Sequence, residues 1–568
     1  MKMSRIKLLQ IFYLLLVLHF CLIGSAKSND KLQGIAIATV DPIATDAALQ
    51  AMIDGGNAFD ASVAAALTLG VVNGYNSGIG GGCFIVARKA TGELFTINGR
   101  ETAPQRAHKN MYIRNGQAQT SLSKSGALAI AVPGALKAYS ELCKKHGKIS
   151  FKKHLENASS IARNGFKVSV PFAQRIKSNF KQIKNYSATA KVFTDNNGDP
   201  IKAGSMLIQE DLAETYNKIA QHGTDWFYKG PFSKKTEEWM KENGGIMKAS
   251  DFEKYHVTYP DPVKTTYREF TVIGMPPPSS GGIHVAQILN ILEHFNIKNI
   301  NPNSPEFYHL ITEAMKLAFA DRAHWLGDPA FAKVPLGLVS KEYAKSLAKK
   351  INPKKARKVK IHGTPPGSTE HFFNKHTTHF SCSDNEGNWV AITATINTSF
   401  GSKVIIPGTG VIMNNEMDDF SISPGTPNAF GLVGNEANAV APGKRPLSSM
   451  SPTIVLKGHE PILSVGAAGG PTIISQTLLT LIHTLDHQLS IREALKKPRF
   501  HHQWQPNQIR IESTAGQRII DSLKQMGHQI NIGGHGGATQ AIGNLGKGLE
   551  AAHDPRLNGK AIAFPIKK

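Results

Sequence analysis

Thr377-Thr378-His379-Phe380-Ser381-Cys382-Ser383 follows a segment, Gly363 to Lys375, that carries Pro365-Pro366-Gly367 and no apolar periodicity. From Thr377 the texture changes. Residues Thr377 to Ser383 and Trp389 to Thr395 read as two strands joined by a turn at Asp384-Asn385-Glu386-Gly387-Asn388. A loop-like segment thus ends at a strand that starts with a hydroxyl residue. If the chain is cut before Thr377, the new terminus carries both a hydroxyl and an α-amine. A free α-amine has a pKa of about 7.7–8.0 and can act as a base near neutral pH. A Thr hydroxyl becomes a nucleophile when a positioned base takes its proton. Before cleavage the same hydroxyl could attack the carbonyl of His376 and give an ester that water hydrolyses. Thr at a strand start is also common as plain structure, so the pair alone leaves both readings open.

Outward from this stretch, Thr453 to Lys457 and Pro461 to Val465 read as a second hairpin around Gly458-His459. Gly466 to Gly470 follows, then an apolar helix from Pro471 to Leu485, with Pro as a start signal. Gly469 and Gly470 could present two N–H groups to developing negative charge, since Pro471 has none. A tight strand-to-helix turn is the plainer alternative. Towards the N-terminus, helices are expected at Pro42–Ile53 and at Asp60–Leu69, the second stopped by Gly70. Gly78-Ile79-Gly80-Gly81-Gly82-Cys83 permits close backbone packing and fits no dinucleotide fingerprint. Phe84–Val86 and Leu94–Asn98 look like strands. Residues 135–350 are mostly helical in pattern, with a rigid loop at Met275–Gly282 before a helix from His284 to Phe295. Residues 341–360 hold eight Lys and one Arg against one Glu, read as a solvated helix and tail rather than a nucleic-acid patch. Gly533-Gly534-His535-Gly536-Gly537 is most simply a turn.

The chain has 568 residues, which as a soft prior suggests about four domains or two large ones. With 41% hydrophobic and 19% charged residues it is globular in composition, which excludes a disordered, collagen-like or coiled-coil chain. Lys2, Arg5 and Lys7 precede an apolar stretch of 16 residues from Leu8 to Ile23, and Gly24-Ser25-Ala26 is a small-x-Ala site. We therefore expect a signal peptide over 1–26, a mature start near Lys27, and a periplasmic or secreted product without a stable membrane anchor. The first 26 residues carry three of the positive charges and no negative ones, so a net charge of +23 becomes +20 after their removal. The surplus favours anionic surfaces without naming a partner, and an exported chain is not expected to meet nucleic acid. Beyond Cys21, three cysteines remain (Cys83, Cys143, Cys382), too few for a disulfide framework. Cys83 reads as a small buried residue at a close contact. No Cys/His zinc spacing occurs, and His371, His376 and His379 lie across a loop and a strand, so no metal and no cofactor are expected. The chain also lacks G-x-S-x-G, P-loop and H-E-x-x-H motifs.

Several further motifs stand in order. They are Asn98-Gly99-Arg100-Glu101-Thr102-Ala103-Pro104, Pro277-Pro278-Ser279-Ser280-Gly281-Gly282, Thr377-Thr378-His379-Phe380-Ser381 and Thr395-Ile396-Asn397-Thr398. Asn414-Asn415-Glu416-Met417-Asp418-Asp419-Phe420, Lys444 to Thr453 (KRPLSSMSPT) and Gly469-Gly470 complete the set. With these motifs the sequence resembles the γ-glutamyltransferases (γ-glutamyl transpeptidases) over roughly residues 33–556. The resemblance implies an α+β N-terminal-nucleophile hydrolase, a four-layer αββα sandwich built by a proenzyme that cuts itself between His376 and Thr377. The products would be a large subunit, 27–376, and a small one, 377–568, held together as a heterodimer. The family transfers the γ-glutamyl group of glutathione, glutamine and similar amides to water, an amino acid or a peptide.

By the same resemblance, Thr377 would attack the γ-carbonyl and form a γ-glutamyl ester, with its own amine shuttling the proton. Thr395 would orient that amine, and Gly469 and Gly470 would stabilise the oxyanion. Arg100 would clamp the α-carboxylate, the planar recognition for which Arg is better suited than Lys. Ser448 and Ser449 would add hydroxyl donors to that carboxylate. Asn397, Glu416 and Asp419 would hold the α-ammonium, with Asp419 as its main counter-charge. The sequence departs from the family pattern at Ala467-Ala468, where Ser-Pro is frequent, and at Pro471, where Ser is common. In the stretch Pro424–Gly434, which resembles the family's lid, Phe430 stands where Tyr is common and offers no hydroxyl latch. Two other functions stay open at this stage. One is a related acylase for glutaryl or cephalosporin-type side chains, against which Arg100 and the Glu416/Asp419 pair argue. The other is a non-catalytic envelope protein that binds anionic polymers through its basic surface.

Overall fold

The computed structural model describes residues 32–366, 378–422, 436–534 and 537–566. The expected signal peptide, His371, His376, Thr377, the lid stretch with Phe430, and residues 535 and 536 of the glycine-rich turn lie outside these. The described chain is α+β. In chain order the main strands are β1 (Ile35–Thr39), β2 (Gly82–Arg88), β3 (Leu94–Gly99), β4 (Val263–Tyr267), β5 (Phe270–Gly274), β6 (Thr378–Ser383), β7 (Trp389–Thr395), β8 (Thr453–Lys457) and β9 (Glu460–Ala468). They continue with β10 (Phe500–His501), β11 (Ile509–Ile511), β12 (Ile530–Ile532), β13 (Ala538–Asn544), β14 (Leu549–His553) and β15 (Lys560–Phe564). The helices that pack on them include α1 (Pro42–Ile53), α2 (Ala58–Val72), α3 (Gly281–Leu292), α4 (Pro305–Trp325) and α5 (Thr472–Leu485).

Two six-stranded sheets form the centre, in the orders β15-β1-β6-β7-β2-β3 and β14-β13-β9-β8-β5-β4. Every pairing in both is antiparallel. Side chains alternate faces along a strand, and here both faces are buried. Ile35 and Ile37 of β1, Ile85 of β2 and Ile392 of β7 enter a core shared with α1 and α2. Their neighbours Ala36, Ala38, Phe84, Val86 and Ala391 point the other way, against Ile273, Ile454 and Ile542 of the second sheet. Val455, Leu463, Val465 and Ala541 on the far face of that sheet meet α3, α4 and α5. This double burial explains why the strands read as nearly continuous apolar runs. A third, small sheet, β10-β11-β12, packs Ile509 and Ile511 into the same helical core. Among the described residues no helix is long and apolar enough to cross a membrane.

Several expected boundaries move. Helix α2 runs through Gly70 to Val72, because that glycine serves a close approach: a Cβ there would lie 2.7 Å from Tyr216 Oη. Helix α3 starts at Gly281 rather than His284, since a Cβ at Gly281 would lie 2.3 Å from Ser451 Oγ and at Gly282 2.4 Å from Met275 O. Residues 135–350 are not all helical: β4 and β5 form a hairpin on the edge of the second sheet. Strand β9 continues to Ala468, so only Gly469 and Gly470 remain of the expected five-residue turn. Of 341–360, Lys341–Ala348 is the helix.

Candidate active site

Strand β6 enters the first sheet with Thr378 opposite Ala394 of β7, and Thr395 ends β7 opposite Gly82. The glycine run 78–82 lets the backbone cross under this end. A Cβ at Gly81 would lie 1.9 Å from Thr395 O and one at Gly80 2.2 Å from Ile412 O. Cys83 is buried there, and burial pushes its thiol pKa up, away from the reactive thiolate. Thr395 is fully buried, and its Oγ1 accepts from the backbone N–H of Asn397 at 2.7 Å. Asn397 sits at φ 72° and donates Nδ2 to Asn415 O at 2.9 Å, and among the described residues its buried Oδ1 has no hydrogen-bond donor.

Glu416, Asp418 and Asp419 share one short 3-10 turn (Glu416–Asp419). Asn414 fixes its entry: Asn414 Oδ1 accepts from the N–H groups of Ala131 and Glu416, and its Nδ2 donates to Gly80 O and Ala131 O. The turn meets Arg100, whose guanidinium is fully buried and makes ion pairs with both Glu416 and Asp419. Glu101 lies 3.6 Å away. Arg100 Nε donates to Pro446 O at 3.0 Å and Nη2 to Leu447 O at 3.2 Å. Burial opposes the Arg100 cation, but Glu416, Asp419 and Glu101 outweigh it and raise its pKa. Burial holds the Glu416 carboxyl well above the usual carboxylate range; Arg100 opposes this, while Glu101 and Asp419 reinforce it.

Ser448 and Ser449 are fully buried on the next two residues of the segment that Arg100 grips. The Pro277–Ser280 loop buttresses them: Ser448 N donates to Pro278 O, and Ser280 Oγ donates to Ser448 O at 2.6 Å. Arg322 of α4 donates Nη2 to Ser449 Oγ and Nε to Ser280 Oγ, each at 2.9 Å. Burial lowers the Arg322 pKa to about 9, with Asp419 opposing. Sequence reasoning missed this second arginine. It sits in a helix whose residues are all buried from Phe307 to Trp325, among them Glu313, Lys316 and Asp321, so neither periodicity nor charge singles it out.

Gly469 and Gly470 take φ of 125° and 65°, conformations that suit residues without a Cβ. Thr472 Oγ1 caps Gly469 O at 2.7 Å, while among the described residues neither glycine N–H has a hydrogen-bond acceptor. Three residues earlier, Gly466 lies against the His379 imidazole. That contact puts the exit of β9 within about 10 Å of chain from the start of β6. His379 bridges the sheets: Nδ1 is 2.9 Å from Thr393 Oγ1, Nε2 is 3.0 Å from Ser381 Oγ, and Ser381 Oγ bonds Ser464 Oγ at 2.9 Å. Burial lowers the His379 pKa to about 3, so it is a neutral structural imidazole.

The structure thus brings Arg100, Glu416, Asp419, Ser448 and Ser449 into one buried polar cluster, with Asn397 and Thr395 on the adjoining strand end. Among the described residues two other groups have metal-type donors in reach, Asp60/Cys143/His154 and His309/Glu313/His528. Their donor atoms are engaged internally. Asp60 accepts from His154 Nε2 and from the N–H groups of Lys148 and Ile149, and Glu313 pairs with Lys316.

A family profile described as Gamma-glutamyltranspeptidase matches residues 44–564. The glutathione hydrolase proenzyme of Escherichia coli (strain K12) is 39% identical over 524 residues, covering 92% of this chain and 90% of that protein. This chain belongs to the γ-glutamyltranspeptidase family. Its fold is also that of solved relatives. Cephalosporin acylase from Bacillus halodurans superposes with a TM-score of 0.84 at 27% identity, covering 94% of this chain and 96% of the acylase. The γ-glutamyltranspeptidase of Helicobacter pylori gives a TM-score of 0.55 at 36% identity, covering 56% of this chain and 91% of that one. The chain therefore shares its architecture with both a transpeptidase and an acylase.

Proposed function

We propose that this chain is a self-processing γ-glutamyl transferase and hydrolase. Cleavage between His376 and Thr377 divides it into a large subunit, 27–376, and a small one, 377–568. The two sheets with their helical covers then act as one four-layer αββα sandwich contributed by both subunits. Removal of residues 1–26 delivers it to the periplasm or the outside of the cell.

The observation that carries the reading is the buried cluster in which one guanidinium faces two carboxylates beside two serine hydroxyls. A charge so buried is tolerated only when paired. The zwitterionic end of a glutamyl group fits this requirement. Its carboxylate goes to Arg100, Ser448 and Ser449. Its ammonium goes to Asp419, Glu416 and the undonated Oδ1 of Asn397. An internal ion pair is exchanged for two external ones, and no charge is left alone. The γ-carbonyl then reaches Thr377, the residue bonded to Thr378 at the start of β6. Thr377 Oγ attacks, its α-amine takes the proton, Thr395 orients that amine, and the N–H groups of Gly469 and Gly470 receive the oxyanion. Water or an acceptor amine resolves the ester. Glutathione, glutamine and related γ-glutamyl amides are the donor class.

The likeness to cephalosporin acylase keeps a second reading, an acylase for glutaryl side chains, which lack an α-ammonium. One assay separates the two. Purified mature protein is given L-γ-glutamyl, L-α-glutamyl and glutaryl anilides, and its subunits are resolved after denaturation. Two fragments and release from the γ-glutamyl anilide alone are expected, with Thr377→Ala remaining one chain. Release from the glutaryl anilide at an equal rate establishes the acylase. An intact wild-type chain overturns both.

A further inference from the structure

The basic stretch 341–360 has no part in the γ-glutamyl chemistry. Eight Lys and one Arg against one Glu give it a net +8, out of the +20 carried beyond residue 26. In the structure this stretch is a loop closed at its neck. Its first limb is the helix Lys341–Ala348. Asp321 of α4 ties the two ends together: Oδ2 accepts from Tyr343 Oη at 2.8 Å, and Oδ1 accepts from the N–H of Gly363 at 2.6 Å. The approach is so close that a Cβ at Gly363 would lie 1.9 Å from Tyr343 Oη.

The main chain of the second limb is held against the protein. His309 Nε2 lies 2.7 Å from Asn352 O, Lys316 Nζ donates to Arg357 O at 3.1 Å, and Trp504 Nε1 donates to Val359 O at 2.9 Å. The N–H groups of Ala356 and Arg357 donate to Met526 O and to Glu313. The basic side chains are left on the outside. Lys349, Lys350, Lys354, Lys355, Lys358 and Lys360 are all exposed, and none makes an ion pair or a side-chain hydrogen bond among the described residues. Like charges held this close repel one another, and an anionic surface relieves that repulsion.

Two apolar side chains flank the neck of the loop. Ile361, directly after Lys360, is 73% exposed, and Leu336, shortly before Lys341, is 86% exposed; these are the highest values for large apolar side chains among the described residues. The neck draws their segments together, since a Cβ at Gly337 would lie 2.4 Å from Pro366 O. Exposed Leu and Ile beside a cluster of lysines are the parts of an interfacial membrane site: the apolar groups enter the acyl boundary while the ammonium groups stay among the phosphates. A soluble polyanion answers the charge but offers no apolar phase to these two side chains. We infer that this loop is a peripheral membrane-binding face, on which Lys349 to Lys360 meet an anionic phospholipid surface and Leu336 and Ile361 enter it. Binding of this kind is reversible, because two side chains bury far less apolar area than a spanning helix. No residue of the glutamyl cluster belongs to the loop, so the inference is independent of the γ-glutamyl reading.

The test is co-sedimentation of the purified mature protein with vesicles of phosphatidylcholine alone and with vesicles in which about one-third of the lipid is phosphatidylglycerol. Wild-type protein should bind only the anionic vesicles and should leave them at about 1 M salt, where the Debye length falls to about 3 Å. Each lysine near such a surface is worth about fivefold, so Lys354→Gln/Lys355→Gln/Lys358→Gln should weaken binding about a hundredfold. An equal loss of charge elsewhere, Lys177→Gln/Lys181→Gln/Lys191→Gln, should leave binding within about threefold. Leu336→Ser/Ile361→Ser should weaken it by about tenfold or more while keeping its salt dependence. All three variants change exposed side chains and should keep the parent's urea midpoint. Absence of binding to the anionic vesicles, or equal weakening by the two lysine triples, overturns the inference. If Leu336→Ser/Ile361→Ser binds as the parent does and soluble heparin competes fully, the partner is a soluble polyanion and the membrane face is refuted.

Discussion

Replacing Gly466 by Ala tests the packing that joins the two sheets beside the nucleophile strand. The added methyl would lie 2.5 Å from His379 Nδ1 and 2.6 Å from Cε1, roughly 1 Å inside van der Waals contact. The imidazole has no free direction, because Thr393 and Ser381 hold its two nitrogens and Ser464 holds Ser381 in turn. Overpacking of a filled core costs about 1–3 kcal/mol. Loss of one or both imidazole hydrogen bonds adds about 1 kcal/mol each. The opposing gain from a stiffer unfolded chain is about 0.4–1 kcal/mol. A net loss of about 1–4.5 kcal/mol follows. Urea unfolding of the purified protein, followed by tryptophan fluorescence, should show a clearly lower midpoint at unchanged slope. His379→Ala is also destabilising, since it empties a cavity and strands two hydroxyls. The two changes together should cost less than their sum by about 1 kcal/mol or more, because the methyl then fills space the ring has left. Strict additivity, or an unchanged midpoint for Gly466→Ala, would refute the contact as the cause.

Arg100→Met removes the ion-pair partner of the buried Glu416 and Asp419 and should cost about 3–5 kcal/mol. In that variant the Glu416 carboxyl, which burial already raises, loses the opposing effect of Arg100, so the penalty is present at high pH and shrinks as pH falls. Urea midpoints of variant and parent should converge between about pH 8 and pH 5, and a pH-independent gap would count against an electrostatic origin. Acid sensitivity follows from buried imidazoles. Burial holds His284 and His379 at about 3 and His501 at about 4, below an unfolded value of about 6.5. The unfolded chain binds more protons in that interval, so stability is complete above about pH 6.5 and is lost towards pH 4. Asp41, raised by burial to about 6, and the raised carboxyls of Asp321 and Glu416 act in the opposite sense, against lowered imidazoles that also include His483, His502 and His528. A midpoint flat from about pH 7 to pH 4 would be the contrary result.

The hairpins at Thr378–Thr395 and Thr453–Ala468 were legible because short apolar runs flank Gly-containing turns. The β4–β5 hairpin was not. Its turn is Arg268-Glu269, with Arg268 at φ 57°, and carries none of the Gly or Asn residues that announce such a geometry. Strand β1 gave no local sign either, since its partners Ser381–Ser383 and Lys560–Phe564 lie hundreds of residues away. Gly70 and Gly281 misled for one shared reason. A glycine that stops a helix and one that lets another chain approach look alike until the neighbour is known.

Family, candidate residues and the order of their motifs were determined by the sequence alone, because they depend on side-chain chemistry within a few residues. The family resemblance carried by those motifs pointed to Arg100 and Asp419 as candidate contacts for a carboxylate and an ammonium. The tertiary structure decided that the two are joined to each other, that Glu416 completes the pair, and that Arg322 stands behind Ser449. It also closed the basic stretch on Asp321, which holds both Tyr343 and Gly363. These are meetings of segments as far apart as residues 100 and 419. The closing of two sheets over a common core brings them together, and removal of water makes each buried charge depend on its partner.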